Sequence, residues 1–178
     1  MVGWQQRLSS LGKVVAFDYP YMAAGRRSPD PLPKLIEAHK HAIAAARKGH
    51  RGPLVLIGKS MGSRVGCHVS LEEPVDALVC LGYPLRGANG SVRDEVLLAL
   101  RCPVLFVQGS RDPLGPIDVL ESVRKRMAAA SELRVVEDGN HSLQLPKARL
   151  AARGQTQEQV DDEVLGWIGA FVGKLGGG

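Results

Sequence analysis

Pro53-Leu-Val-Leu-Ile57, running directly into Gly58-Lys-Ser-Met-Gly62, decides the fold of this chain. An unbroken apolar run without polar alternation suits a strand buried on both faces, as in the interior of a parallel sheet. The residues that follow match G-x-S-x-G, the spacing of a nucleophile elbow. By composition alone such a match arises roughly one time in seven in a chain like this, so its context must decide. Here the motif leaves a strand and Met61 to about Leu71 continues as a helix. That is the sharp strand-to-helix turn that lifts a serine out of the backbone. The glycines two before and two after Ser60 are expected to let backbone segments approach without a Cβ clash. A helix beginning at Ser60 also turns amide N–H groups toward any charge that develops there, and Met61 N–H is the candidate oxyanion donor. A rival reading, Gly52 with Gly58-Lys-Ser60 as a phosphate loop, fails on two counts. The spacing is one residue too long for G-x-x-x-x-G-K-S, and strand-forming residues fill it where a flexible loop is needed.

Outward from this stretch, apolar runs alternate with helical periodicity. Val14–Phe17, Ala77–Leu81, Pro103–Val107 and Leu133–Val136 are expected strands. Pro33 to Lys48, Val92 to Leu100, Pro116 to Ala129 and a C-terminal segment carrying Val160, Val164, Trp167, Ile168, Phe171 and Val172 are expected helices. Strand alternating with helix implies an α/β fold: a parallel sheet with helices on both faces, in one domain over residues 1–178. Chemistry in such sheets gathers outside the carboxyl ends of the strands.

Two other polar residues stand at such ends. Asp112 follows Pro103–Val107 in Gln108-Gly-Ser-Arg-Asp-Pro-Leu114, and His141 follows the last strand in Glu137-Asp-Gly-Asn-His-Ser142. Ser60, Asp112 and His141 therefore make a candidate nucleophile, acid and base. Asp112 before Pro113 is also a natural turn former, and His141 a natural loop residue. Asp138 and Asp118 are fallback acids, while His39, His41, His50 and His68 read as helix-surface or loop positions. The chemistry implied is acyl transfer from an ester or related acyl substrate to Ser60, with a shallow, open pocket because Tyr83 to Arg93 offers only a loop above the site.

Composition narrows the field further. A chain of 178 residues, 44% hydrophobic and 23% charged, supports one good core. The net charge of +5 is spread over Arg26-Arg27, Lys34, Lys40, Arg47-Lys48 and Arg124-Lys125-Arg126. Without interleaved aromatic residues these positions describe a solvated surface and no nucleic-acid partner. Cys67, Cys80 and Cys102 are odd in number and lack a C-x-x-C pair, so they read as buried free thiols of a reducing compartment. Neither a leader-like start nor a membrane-length apolar run is visible, which gives a cytoplasmic expectation with the nucleus as alternative and no membrane association. Nothing in the residues calls for a metal or an organic cofactor.

Taken together, Gly58-Lys-Ser-Met-Gly-Ser-Arg64, Gly82-Tyr-Pro-Leu85, Val92-Arg-Asp-Glu95, Pro103-Val-Leu-Phe-Val-Gln-Gly-Ser110 and Asn140-His-Ser142 carry a resemblance. From Trp4 to Phe171 the chain resembles the α/β-hydrolase-like proteins of the testis-expressed-protein-thirty type. Subunit three of the non-specific-lethal chromatin complex is a distant relative, and Phe17-Asp-Tyr-Pro-Tyr-Met22 is similar to plant members. The resemblance implies a minimal α/β-hydrolase fold without a lid domain and a serine esterase whose triad positions are Ser60, Asp112 and His141. Its chromatin relative implies the alternative of a non-catalytic protein-interaction module. Family members also carry a strand and an oxyanion loop ahead of the stretch matching Met1–Leu11. On that comparison this chain is expected to be a shortened form, impaired in turnover. Either Val14–Phe17 pairs directly with Pro53–Ile57, or self-association or a protein partner covers the sheet.

Overall fold

The computed structural model describes residues 2–87 and 89–176. Their contacts group into two compact units, Met1–Gly52 and Pro53–Gly178.

The second unit is built on a four-stranded parallel sheet in the order β1-β2-β3-β4, with β1 Val55–Lys59, β2 Ala77–Leu81, β3 Val104–Gly109 and β4 Ser131–Val136. Val55 lies opposite Ala77, Leu78 opposite Val104, and Val104 opposite Ser131, so the strand ends come out level. Every residue of β2 and β3 is buried. That is why their sequences run apolar without alternation. Each such leucine or valine withdrawn from water contributes about 1.5–3 kcal/mol. The edge strands β1 and β4 are only half-buried.

Helices α4 (Met61–Val69), α5 (Glu95–Ala99) and α6 (Ile117–Arg124) connect successive strands. The strands follow one another in a single direction, so right-handed crossovers carry all three helices on one face. Helix α8 (Gln157–Gly173) packs on β3 and buries Val160, Val164, Ile168 and Phe171. A capping box fixes its start: Gln159 N–H donates to Thr156 Oγ1 at 3.2 Å, and Thr156 N–H donates to Gln159 Oε1 at 2.8 Å. The short helix α7 (Lys147–Arg153) precedes it and was not anticipated, its alternating charges and alanines giving no clear apolar face.

The first unit holds α1 (Val2–Leu8), α2 (Pro20–Ala23) and α3 (Leu32–Arg47). Val14–Phe17, expected as a strand that pairs with Pro53–Ile57, takes no regular secondary structure and joins no sheet. Strand propensity is realised only against a partner, and Phe17 instead packs its ring on Tyr19 and His39 at 5.1 and 5.0 Å between centroids. His39 is not the surface residue expected. It is buried on α3, shares a 3.2 Å hydrogen bond with Tyr19 Oη, and is pushed down to a pKa of about 4 by burial.

Several of the basic residues are neutralised locally: Arg26 and Lys34 on Asp30, Arg124 on Glu121, Arg126 on Asp94. Cys67 and Cys80 are buried with their sulfurs 3.7 Å apart, whereas Cys102, expected buried, is partly exposed. No helix among the described residues is long and apolar enough to cross a membrane.

Candidate active site

Ser60 sits alone between β1 and α4, at φ 53° and ψ −117°. A side chain at positive φ is strained by about 1–3 kcal/mol and persists only where its surroundings hold it. They do so here from both sides. Ser60 N–H donates to Leu81 O at the end of β2, at 2.9 Å, while Ser60 O accepts from Ser63 Oγ at 2.6 Å and Arg64 N at 3.2 Å. Gly58 is sterically required, since a Cβ there would collide with the backbone of Gly62 and Ser63. Gly62 is different: a Cβ there would meet nothing within 4 Å. Of the two elbow glycines, only the first serves the close approach expected of both. Met61 N–H and Gly62 N–H head α4, where no preceding helical carbonyl can accept from them.

Asp112 lies in the turn after β3 and is buried. Its two oxygens have separate tasks. Oδ1 accepts from Leu114 N–H at 2.9 Å, which is the turn-forming role an Asp before proline suggests. Oδ2 accepts from His141 Nδ1 at 2.7 Å. Because a carboxylate only accepts, Nδ1 carries the proton and Nε2 is left to accept. Nε2 lies 2.8 Å from Ser60 Oγ, so Ser60 donates to it. Three residues at three strand ends, separated by up to 81 positions, thus form one continuous hydrogen-bonded chain.

The loop holding His141 is knotted. Asn140 Oδ1 accepts from Ser142 N at 2.8 Å and Gln144 N at 3.1 Å, and Asn140 N–H donates to Gln144 O at 3.0 Å. Gln157 at the head of α8 pins the far side, accepting from Leu145 N at 3.0 Å and donating to Leu143 O at 3.2 Å. On the near side the loop rests on Gly82, which has φ +60° and whose Cβ would run into the carbonyl of His141. Sequence reasoning missed Asn140 and Gln157. Asn140 carried a signal as a turn former directly before the histidine, but Gln157 looked like any polar residue in a first helical turn.

The fallback acids stand apart. Asp138 is held by Arg149 at 3.4 Å and Arg153 at 2.8 Å, and Asp118 is exposed on α6. An open concavity of about 650 Å³ is lined by the 110–118 turn and touches the site only through Asp112. Among the described residues no group of three His, Cys, Asp or Glu side chains is placed to hold a metal.

The geometry has counterparts. A family model described as Alpha/beta hydrolase domain matches residues 1–173. Among solved structures the chain is similar to alpha/beta hydrolase domain-containing protein 10 from mouse, at 16% identity and a TM-score of 0.66, over 98% of this chain and 83% of that one. It is similar also to Est1E from Butyrivibrio proteoclasticus, solved with ferulic acid bound, at 17% identity and a TM-score of 0.61, over 94% and 82%. An alpha-beta serine hydrolase homologue from Coxiella burnetii matches at 17% identity and a TM-score of 0.60, over 79% and 67%. At these identities the likeness speaks for the fold alone.

Proposed function

Since the chain belongs to the alpha/beta hydrolase domain family, we propose that it is a serine hydrolase acting on small carboxylic esters or related acyl compounds. The observation that carries this reading is the chain Ser60–His141–Asp112, with bonds of 2.8 and 2.7 Å. His141 Nε2 takes the proton from Ser60 Oγ as the oxygen bonds to the acyl carbonyl carbon. Met61 N–H donates to the oxyanion, and the helix terminus behind it adds a favourable field. The carbon–oxygen bond to the leaving alcohol then breaks, and His141 returns its proton to that alcohol. Water repeats the sequence on the acyl-serine, regenerating Ser60. Throughout, Asp112 holds the imidazole with Nδ1 protonated.

Residues 1–178 are read as one domain, because the family match runs across both compact units. The finer kinship with the testis-expressed-protein-thirty type rests on the segments quoted for it, chiefly Gly58–Arg64 and Pro103–Ser110.

A fluorophosphonate probe tests the reading. Labelling at Ser60, abolished in Ser60→Ala and strongly reduced in His141→Ala, is the expected result. A folded protein that takes no label would leave the interaction module as the better account.

A further inference from the structure

Gln108 occupies β3, between Val107 and Gly109, and is completely buried. A primary amide in such a place costs several kcal/mol unless both its ends are bonded. Both are. Its Oε1 accepts from Tyr83 N–H at 2.9 Å, and its Nε2 donates to Asp112 Oδ2. The amide has no freedom to flip, because Tyr83 N–H can only donate and Asp112 Oδ2 can only accept. The NH₂ end must face Asp112. The neighbouring turn leaves room for it, since a Cβ on Gly115 would strike Gln108 Nε2.

The oxygen it contacts matters. Asp112 Oδ2 is the atom that also accepts from His141 Nδ1. Two donors therefore converge on one oxygen, and Leu114 N–H takes the other. Leu114 alone leaves the carboxylate free to swing about its bond to Oδ1. Gln108 removes that freedom and fixes Oδ2 where His141 needs it. Tyr83, which supplies the other end of the amide, directly follows Gly82, against which the His141 loop rests. One side chain thereby ties the Asp112 turn to the segment that supports the histidine.

Resting on the serine-hydrolase reading, we propose that Gln108 is a positioning residue for the Asp112–His141 pair. It touches neither substrate nor Ser60 and acts through Asp112. Nothing in the elbow, acid or base motifs marks it.

Two substitutions test this. Gln108→Met keeps length and burial but removes both bonds. Gln108→Glu keeps an acceptor for Tyr83 N–H and replaces the donor facing Asp112 with a second carboxylate. Both are measured for melting temperature, fluorophosphonate labelling rate, and the low-field proton resonance of His141 Nδ1–H. Labelling is expected to fall by about ten- to a hundredfold, the equivalent of losing one hydrogen bond to a charged group. The resonance is expected to shift or vanish in folded variants, which a merely structural role would not produce. Variants that match the wild type in rate and resonance overturn the proposal. A shifted resonance in a protein whose wild type takes no label upholds Gln108 and removes the hydrolase reading instead. Should neither variant fold, the wild type still decides. Protons of the Gln108 amide are expected to exchange with solvent far more slowly than those of exposed Gln5 and Gln6, and equal exchange overturns the assignment.

Discussion

Replacing Gly58 with alanine adds one methyl group, and the structure says what that group meets. It would stand roughly 1 Å inside ordinary contact with the backbone of Gly62 and Ser63. Backbone at the head of α4 cannot rotate aside as a side chain can. Relief must come from lifting the helix off β1, at a cost near the upper end of the overpacking range, about 3 kcal/mol. For a chain of this size that lowers the melting temperature by about 6–12 °C. The same movement carries Ser60 with it. Its 2.8 Å bond to His141 would stretch beyond hydrogen-bonding distance, and a 1 Å displacement at a reacting atom costs about a hundredfold in rate. Gly62→Ala is the control. Nothing lies within 4 Å of its Cβ, and alanine is the better helix former by up to about 1 kcal/mol, so its melting temperature should hold or rise. The assay is a thermal melt of both variants alongside fluorophosphonate labelling of Gly58→Ala. If both glycines tolerate alanine equally, or both fail equally, the account of the elbow is wrong.

Two further outcomes follow from burial. Tyr83 Oη is buried without a protein partner, so Tyr83→Phe should stabilise the protein by about 1–2 kcal/mol in chemical denaturation; destabilisation would mean the hydroxyl is satisfied. His39, held near pKa 4 by burial against an ordinary value of 6.5, binds fewer protons folded than unfolded between those values. Stability is therefore untouched above pH 6.5 and declines as pH falls toward 4, by about 3 kcal/mol in total. His39→Gln should flatten that part of the difference between denaturation curves at pH 7.5 and 4.5, and an unchanged difference refutes it.

The strands that build the site were legible because their burial left a periodicity signal. Ala77–Leu81 is buried at every position and its limits are those expected. Pro53–Ile57 slipped by two residues, to Val55–Lys59, since Gly58 and Lys59 continue the ladder with β2 although neither is apolar. Val14–Phe17 misled for the opposite reason. Its residues favour a strand, but whether a strand forms depends on which edge it meets, and no local pattern encodes that. His39 misled similarly. A histidine between a lysine-bearing face and an alanine-rich one gives no sign that a tyrosine twenty residues earlier will close over it.

Within the site, the legible residues are those whose type is unusual at a strand end, and the illegible ones are those whose type is common. A serine between glycines, an aspartate in a turn and a histidine in a turn announced themselves. Gln108, Asn140 and Gln157 are amides, which proteins scatter everywhere, and their roles exist only through partners 2 to 25 positions away. Yet one of them was detectable in principle. Gln108 is the polar interruption in Val104-Leu-Phe-Val-Gln-Gly109, a run otherwise suited to burial on both faces. A polar group there is either exposed by a strand ending or bonded at both ends, and the three residues between it and Asp112 make the second alternative concrete. The interruption of an apolar run just ahead of a candidate acid is therefore information about what holds that acid, and not merely a marker of where the strand stops.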